Sequence, residues 1–376
     1  YKIETGEPHR ISRVTYDIPD TAVAHIIFSD TTLLAVGPGD LFDRDDLDAE
    51  RVLITRRLKD RGYYGFLKEY ITFTADTAEG SKEVGLTLSV RPPKSKTEPQ
   101  PTAGVIQPHR RYIIRGVTFV MDEGVTRMAD LAGAHLDTVP CAPGIDILYG
   151  HDRYLRPSVL EEKCFITPGS LYSTRAVDRT YEALSGLGIL RSVNIDVARA
   201  GEIGQTGLLD VYIFLSRNKK QSVTLDIEGT NSEGDLGFGV GATYQHRNLA
   251  RGSQLLTARL RMNYESLSGS FNGLINDRYT EWAGEVGITF PRFEFPFASP
   301  SVQKRLNVAT EFALSFNYQE RPEYTRIISG GAWKYKWHNR TNTRRHEFSL
   351  LDINYVYLPA RTNDILDLIA PDNPLL

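Results

Sequence analysis

The sequence has little of several features on which simple functional assignments rest. Its 376 residues include only two cysteines, Cys141 and Cys164, which form neither a CxxC pair nor a zinc-ligand set with histidines. Two buried thiols or a single disulfide are the open alternatives. No apolar run approaches the ~20 residues of a membrane-spanning helix, and the first residues, YKIETGEPHR, do not resemble a signal peptide.

Excess charge of one sign is also missing. The 44 basic and 47 acidic residues leave a formal net charge of −3, which creates no field for binding a polyanion. No cluster of aromatic and arginine side chains is available for base stacking, so the sequence excludes nucleic acid as a partner. A hydrophobic share of 41% is enough for two or three domains with packed cores.

Motifs for covalent chemistry or cofactor binding are absent as well. The glycines of GDLGFGVG, residues 234–241, have dinucleotide-binding spacing, but they precede no helix and lie in an alternating segment. The acidic run DRDDLD, residues 43–48, lacks EF-hand spacing and suits the first turn of a helix. The histidines are scattered and there is no G-x-S-x-G elbow. We therefore predict no enzyme activity, no cofactor and no metal site.

One pattern occurs twice in the first 220 residues. PGDLFDRDD and PGSLYSTRA each place a Pro-Gly turn before a polar segment, in which Asp43 and Ser173 are predicted helix N-caps. An apolar helical face follows, then a glycine, Gly62 or Gly188, which is predicted to end the helix, then two strands. Another strand and helix precede each copy, so the order β-α-α-β-β is predicted twice.

The repeat sets the predicted domain boundaries. Two α/β domains are expected at residues 9–93 and 109–218, joined by a proline-rich linker at 94–108. The second copy carries an insertion, about residues 121–156, between its first strand and its first helix. The pattern predicts no structure for this insertion.

Residues 219–376 have a different period. In SVTLDIEG, the side chains of Val223, Leu225 and Ile227 alternate with those of Thr224 and Asp226, which is the period of a strand. Six similar stretches follow, so seven antiparallel strands are predicted. A soluble β-sandwich and a membrane barrel both alternate in this way, but strands of about 9 to 12 residues with aromatic ends favour the barrel.

The same alternation predicts which side chains face lipid and which face a lumen. The outward, lipid-facing set includes Val223, Val240, Leu260, Ile288 and Leu314. The inward set includes Arg259, Arg261, Glu311, Lys334 and Lys336, which would be unusual in a dry sandwich core.

These features together resemble a known family. The β-α-α-β-β units, with G-(Y/I)-(Y/L) after the second helix, are similar to POTRA domains. The segment NKKQSVTLDIEGTNSEGDLGFGVGATYQHRNLARGSQLLTARL resembles the first three barrel strands of the BamA and TamA outer-membrane assembly superfamily. TFPRFEFPF, SFNYQERPEYTR and LDINYVYLP look most like the TamL branch, the lipoprotein counterparts of TamA. The resemblance covers nearly the whole chain.

The resemblance implies α+β POTRA repeats followed by an all-β antiparallel transmembrane barrel. It places the barrel in the outer membrane of a Gram-negative bacterium and the POTRA domains in the periplasm. Barrels of this superfamily have sixteen strands, and neither their late inward-folded loop motif nor an acylated cysteine is found here. The chain is therefore expected to be part of a longer protein, and a lipid anchor is inferred only from the resemblance.

The implied function is assembly and translocation of outer-membrane proteins. The implied partners are unfolded outer-membrane protein clients, outer-membrane lipid and a periplasm-spanning TamB-like protein. Because an open strand edge can pair with any extended client, two edges are the predicted binding sites. They comprise Val193, Asn194, Ile195 and Asp196 in the second α/β domain, and Ser222, Val223, Thr224, Leu225, Asp226 and Ile227 in the first barrel strand.

Two alternatives belong to other functional classes. A two-partner-secretion transporter also joins POTRA domains to a sixteen-stranded barrel, but it exports a substrate. A soluble sugar-binding or structural β-protein is the third alternative, and it would need no detergent.

Overall fold

The computed structural model of the protein describes residues 7–78, 81–93, 108–232, 235–266, 278–297, 299, 302–303, 306, 308–321, 324–338 and 344–361. The chain forms two α/β units and then one large antiparallel sheet. Apart from Pro108, the predicted linker lies outside the described residues, as does the stretch after residue 361.

The first unit has the predicted order of elements. These are β1 (Arg10–Asp17), α1 (Thr21–Phe28), α2 (Arg44–Lys59), β2 (Ile71–Asp76) and β3 (Glu83–Val90). The sheet order is β1-β3-β2, with β1 parallel and β2 antiparallel to β3. The apolar faces of the two helices cover one side of this sheet, where Ile54 and Leu58 are fully buried with Leu88.

The second unit repeats this order and adds a hairpin. Its elements are β4 (Tyr112–Met121), β5 (Asp137–Ala142), β6 (Ile145–Tyr149), α3 (Pro157–Lys163), α4 (Thr174–Ser185), β7 (Leu190–Ile203) and β8 (Thr206–Arg217). The insertion, for which the sequence predicted no structure, forms a 3₁₀ helix at Met128–Gly133 and the hairpin β5–β6. Because β6 pairs in parallel with β4, the sheet has five strands in the order β5-β6-β4-β8-β7.

The insertion also covers the sheet face that the helices leave open. Helices α3 and α4 pack on one face, where Phe119, Leu184 and Ile213 are fully buried. On the other face, Val120 and Phe214 form a smaller core with residues of the insertion. A sheet with only one buried face would expose these apolar side chains, so the insertion gives the second unit a second apolar layer.

The predicted starts of the second helices are confirmed in both units. The Asp43 carboxylate accepts a hydrogen bond from the Asp45 backbone N–H at 2.8 Å, and the Ser173 hydroxyl accepts one from the Ala176 N–H at 3.3 Å. Each satisfies an amide of the first turn that has no partner within the helix.

The prediction that Gly188 ends the second of these helices is wrong. Helix α4 ends at Ser185, and Gly186 caps it in a right-handed conformation with φ of −73°. Its N–H donates to the carbonyls of Glu182 and Leu184, so no left-handed glycine is needed at residue 188. Gly62, in contrast, has φ of +100°, three residues after α2 ends.

The third part of the chain is a seven-stranded antiparallel sheet. Its strands are β9 (Gln221–Ser232), β10 (Asp235–Leu249), β11 (Gln254–Ser266), β12 (Arg278–Phe290), β13 (Ala309–Glu320), β14 (Tyr324–His338) and β15 (Arg345–Arg361). They pair in chain order, so β9 and β15 are the outer strands of the described sheet. The strands have 12 to 17 residues, which is longer than the 9 to 12 that the alternation predicts.

The strand register confirms the predicted division of the two faces. Val223, Tyr244, Ala258, Val286 and Leu314 are aligned across five strands and share one face. The neighbouring row on the opposite face is Thr224, Thr243, Arg259, Glu285 and Ser315. One face of the sheet is therefore apolar and the other polar.

Among the described residues, no helix is both long enough and apolar enough to span a membrane.

Candidate functional site: two open strand edges

The first candidate site is the outer strand β7. Val193, Asn194, Ile195 and Asp196 all lie in it, and in the described sheet this strand pairs only with β8. Val193 and Ile195 point to the helical core, while Asn194 and Asp196 lie on the opposite face. The backbone N–H and C=O groups on the outer edge of β7 are therefore open to a further strand, while the side chains on both faces of the strand contact the rest of the unit.

The insertion contacts the polar side of this edge. The Asn194 side-chain amide donates to the Thr126 carbonyl at 3.2 Å, and the Met128 backbone N–H donates to the Asp196 carboxylate at 3.4 Å. These bonds join residues 126 and 128, at the beginning of the 3₁₀ helix, to the middle of β7. They hold the edge strand against the body of the unit, but they use side chains and leave its backbone edge open.

The first α/β unit contacts the same strand further along. The Tyr64 hydroxyl donates to the Val197 carbonyl at 3.2 Å. The ring of Tyr64 packs edge-on against Tyr112 and Tyr172, with centroids 5.7 and 5.0 Å away. Among the described residues, no backbone hydrogen bond outside the sheet ladder reaches residues 191–196. The open part of the β7 edge is therefore the part nearest the large sheet.

The second candidate site is the outer strand β9. Ser222, Val223, Thr224, Leu225, Asp226 and Ile227 all lie in it, and within the described sheet the strand pairs only with β10. The apolar side chains of β9 are strongly exposed, and Ile227 reaches 85%. Their neighbours across the ladder are Tyr244, Ala242 and Val240, which continue the apolar face.

The glycines of GFGVG have a structural role on the polar face of β10. Gly237, Gly239 and Gly241 align with polar positions on both neighbouring strands. Because no side chain projects from β10 there, the Arg261 guanidinium on β11 reaches across to the Glu228 carboxylate on β9 at 2.7 Å. Since residues 235–249 form a strand, the dinucleotide-binding alternative is excluded for this segment.

A tight hairpin joins the large sheet to the second unit. The turn between β10 and β11 has three non-glycine residues with left-handed φ, namely Ala250, Arg251 and Ser253. The Asn248 side chain holds this turn, because its carbonyl accepts from the Ser253 N–H at 3.0 Å while its amide donates to the Tyr154 carbonyl at 2.6 Å. Nothing in the sequence pattern indicated that this turn contacts the second unit.

Two buried polar groups lie near this junction, one bonded within the second unit and the other bonded across to the large sheet. The Tyr154 hydroxyl donates to the Leu215 carbonyl at 3.1 Å, and burial raises the pKa of this tyrosine. The Lys163 ammonium, buried at the end of α3, donates to the Pro291 carbonyl after β12, and burial lowers the pKa of this lysine. Nothing in the sequence pattern identifies either contact, because each joins residues more than 60 positions apart.

The residues weighed for metal or thiol chemistry have ordinary structural partners. Asp43 caps a helix, and Asp48 forms ion pairs with Arg51 and Lys68 at 3.1 and 3.0 Å. Within the described ranges, no three His, Cys, Asp or Glu side chains lie close enough to hold a metal. Cys141 and Cys164 are not joined by a disulfide.

Comparison with known proteins gives similarity to solved structures alone. No protein-family model and no curated protein matches the chain. BamA from Haemophilus ducreyi lacking POTRA domains 1–3 is 13% identical with a TM-score of 0.45, covering 94% of this chain and 65% of that one. CdiB from Acinetobacter baumannii is 9% identical with a TM-score of 0.34, covering 97% and 57%.

A third similar structure is the N-terminal domain of Omp85 from the thermophilic cyanobacterium Thermosynechococcus elongatus. It is 11% identical with a TM-score of 0.16, and the match covers 57% of this chain and 100% of that one. The chain thus spans less than two thirds of the BamA and CdiB structures.

Proposed function

We propose that this chain belongs to an outer-membrane assembly and translocation protein, whose two POTRA domains, residues 9–93 and 109–218, dock clients in the periplasm. In this proposal the sheet from residue 219 onward is the first part of a membrane barrel. The observation that carries the proposal is that one chain has the open edges of β7 and β9 beside a sheet with a predominantly apolar outer face.

The apolar face supports a membrane location. Leu225, Leu260 and Leu314 are 73%, 68% and 69% exposed, and they belong to one continuous face. Soluble proteins rarely expose a contiguous apolar surface of this extent, whereas lipid would cover it. The backbone groups between β9 and β15 are paired in the ladder, as the hydrocarbon region requires.

The opposite face supports contact with water. Ion pairs join Arg261 to Glu228 and Lys336 to Glu311, both at 2.7 Å, across the strands. Charged pairs of this kind are costly against lipid and ordinary against a hydrated lumen.

The two edges support a mechanism of templated strand pairing. An extended client would first complete the β7 sheet at residues 193–196, using backbone hydrogen bonds that do not depend on its side chains. It would then pair with residues 222–227 of β9, so that its backbone N–H and C=O groups are already hydrogen-bonded when they enter lipid. Each unpaired polar group in hydrocarbon would otherwise cost several kcal/mol.

The finer parts of the proposal rest on sequence resemblance. The segments TFPRFEFPF, SFNYQERPEYTR and LDINYVYLP support a TamL-like lipoprotein branch, with a TamB-like partner spanning the periplasm. The protein acts without catalytic residues or a cofactor.

A cysteine crosslink in cells tests the proposal. Thr224→Cys places a thiol on the outer strand β9, and Thr257→Cys places one on the same face of the inner strand β11. Both variants are made with Cys141 and Cys164 replaced by serine, and a client carries single cysteines along its strands. We expect crosslinks to the client at residue 224 and none at residue 257.

Three results would contradict the proposal. Equal crosslinking at both positions would show that β9 is not a specific template. Absence of crosslinks at residue 224 in cells that still assemble clients would place the gate elsewhere. Crosslinks to a substrate that leaves the cell would instead support the alternative, a two-partner-secretion transporter.

A further inference from the structure

A cationic cleft lies where the second α/β unit meets the first strand of the large sheet. It has a volume of about 760 Å³ and lies between the end of β8 and the beginning of β9. Its lining comprises Glu123, Arg191, Arg217, Asn218, Lys219, Lys220 and Gln221.

Positive charge is in excess in this cleft. Arg217 is neutralised, because its guanidinium contacts both the Glu123 and the Asp152 carboxylates. In the described part of the chain, no ion pair joins the other three cations, Arg191, Lys219 and Lys220, to a carboxylate. When the two carboxylates of the adjoining pocket, Asp122 and Asp152, are counted with Glu123, four cations face three anions, so one positive charge is in excess. The cleft therefore suits an anionic ligand.

The position of the cleft relative to the apolar face identifies the kind of anion. The apolar row begins at Val223 and Tyr244, three residues beyond Lys220. Three residues of a strand tilted by ~45° rise about 7 Å along the membrane normal. The headgroup region of one leaflet is about 5 to 7 Å thick. Lys219 and Lys220 therefore lie at the depth of lipid phosphates when the apolar face lies in hydrocarbon.

The surroundings of the cleft favour an amphiphile over a free anion. Val223 and Leu225 on the adjoining edge strand are 67% and 73% exposed. A ligand with an anionic head and an apolar tail would contact the cations and these side chains at once. An inorganic anion would use only the charges.

We propose that this cleft binds the phosphate group of an anionic phospholipid in the leaflet that faces the two α/β units. The inference rests on the proposed membrane location of the sheet. It adds a lipid site beside the strand edge where a client would enter, so a bound headgroup would hold the start of β9 at a fixed depth.

Lipid retention by the intact protein tests this inference. The protein is reconstituted in nanodiscs of phosphatidylcholine with or without phosphatidylglycerol, and labelled phosphatidylglycerol that stays bound is measured. Lys219→Gln and Lys220→Gln should each weaken its affinity about fivefold, and the double variant more. Lys82→Gln, an exposed lysine of the first unit, is the matched control and should change nothing. Lys219→Arg with Lys220→Arg should retain binding.

The possible outcomes separate the proposals. Failure to insert into nanodiscs of any composition would overturn the membrane location and the lipid site together. Normal insertion with equal lipid retention by the native, glutamine and control proteins would overturn only the lipid site. Competition by inorganic phosphate as strong as that by phosphatidylglycerol would show that the cleft binds a free anion, which also overturns the lipid site.

Discussion

The hydroxyl of Tyr64, in the first α/β unit, donates a hydrogen bond of 3.2 Å to the carbonyl of Val197, in the edge strand of the second. This contact occupies one acceptor on the edge where a client is proposed to bind. The first unit therefore limits how far along β7 a client strand can extend, and it leaves residues 191–196 as the accessible part.

Removing this hydroxyl should lengthen the accessible edge. In Tyr64→Phe the ring keeps its packing against Tyr112 and Tyr172, but the Val197 carbonyl loses its partner. We expect a loss of about 0.5 to 1.5 kcal/mol in unfolding free energy and tighter binding of an extended peptide. Denaturant titration and peptide fluorescence anisotropy measure the two effects. Tyr181→Phe, on the exposed side of α4, is the control, and an equal effect there would contradict the assignment.

Asp60 should fix the relative orientation of the two units. Its Oδ1 accepts from the Arg175 N–H at 2.8 Å and from the Ser173 hydroxyl at 3.1 Å, so a carboxylate of one unit caps the helix of the other. Asp60→Ala should lower the unfolding free energy by about 0.5 to 2 kcal/mol, which is the usual range for the loss of a helix N-cap. Distances between spin labels on the two units should also broaden. A narrow distribution in the variant would show that other contacts suffice to orient them.

Acidification should loosen the attachment of the second unit's first residues to the first unit. The His109 ring is buried beside Phe66 and Tyr70, and its Nε2 lies 3.0 Å from the Arg91 carbonyl oxygen. The backbone N–H of His109 donates to the Asp20 carboxylate at 2.8 Å. Burial lowers the pKa of His109, although Arg91 and Asp20 partly oppose that shift.

The sign of the pH effect follows from this lowered pKa. The unfolded chain takes up the proton first, so the stability due to neutral His109 is complete above the ordinary histidine pKa of about 6.5. It is lost as the pH falls from there through the folded pKa. Unfolding measured between pH 7.5 and 5 should show this loss. The loss should be smaller in His109→Phe and unchanged in His135→Phe, which alters an exposed histidine.

Two glycines on the polar face of β10 should differ in their tolerance of a methyl group. A Cβ at Gly237 would lie 2.7 Å from the Tyr264 carbonyl oxygen, whereas its nearest neighbour at Gly241 would be 3.6 Å away. Gly237→Ala should therefore destabilise the sheet by about 1 to 3 kcal/mol, and Gly241→Ala should be tolerated. Refolding titrations into lipid vesicles compare them, and equal stability would exclude this close approach.

A charge on the apolar face should be costly only in lipid. Leu260→Arg should lower the unfolding free energy by about 2 to 4 kcal/mol in folding titrations with lipid vesicles if residue 260 lies near the bilayer midplane. Ser315→Arg, on the polar face, should cost much less. Comparable costs for the two variants would contradict the assignment of faces.

The features that the sequence predicted correctly are those decided by neighbours along the chain. The caps at Asp43 and Ser173 depend on amides two or three residues away. The division between Leu260 and its neighbours Arg259 and Arg261 depends only on the alternation of a strand. The failure at Gly188 is also local, because Gly186 could complete the helix end in a right-handed conformation.

Tertiary structure decided which strand edges are open and what lies beside them. The sequence determined that β-α-α-β-β units precede long strands with one apolar and one polar face, because periodicity and helix capping depend on residues close together in the chain. It did not show that the insertion would add β5 and β6 to the sheet, that Tyr64 would reach Val197, or that Arg191 would approach Lys219 and Lys220. These contacts join distant parts of the chain, and only the packing of whole elements brings them together.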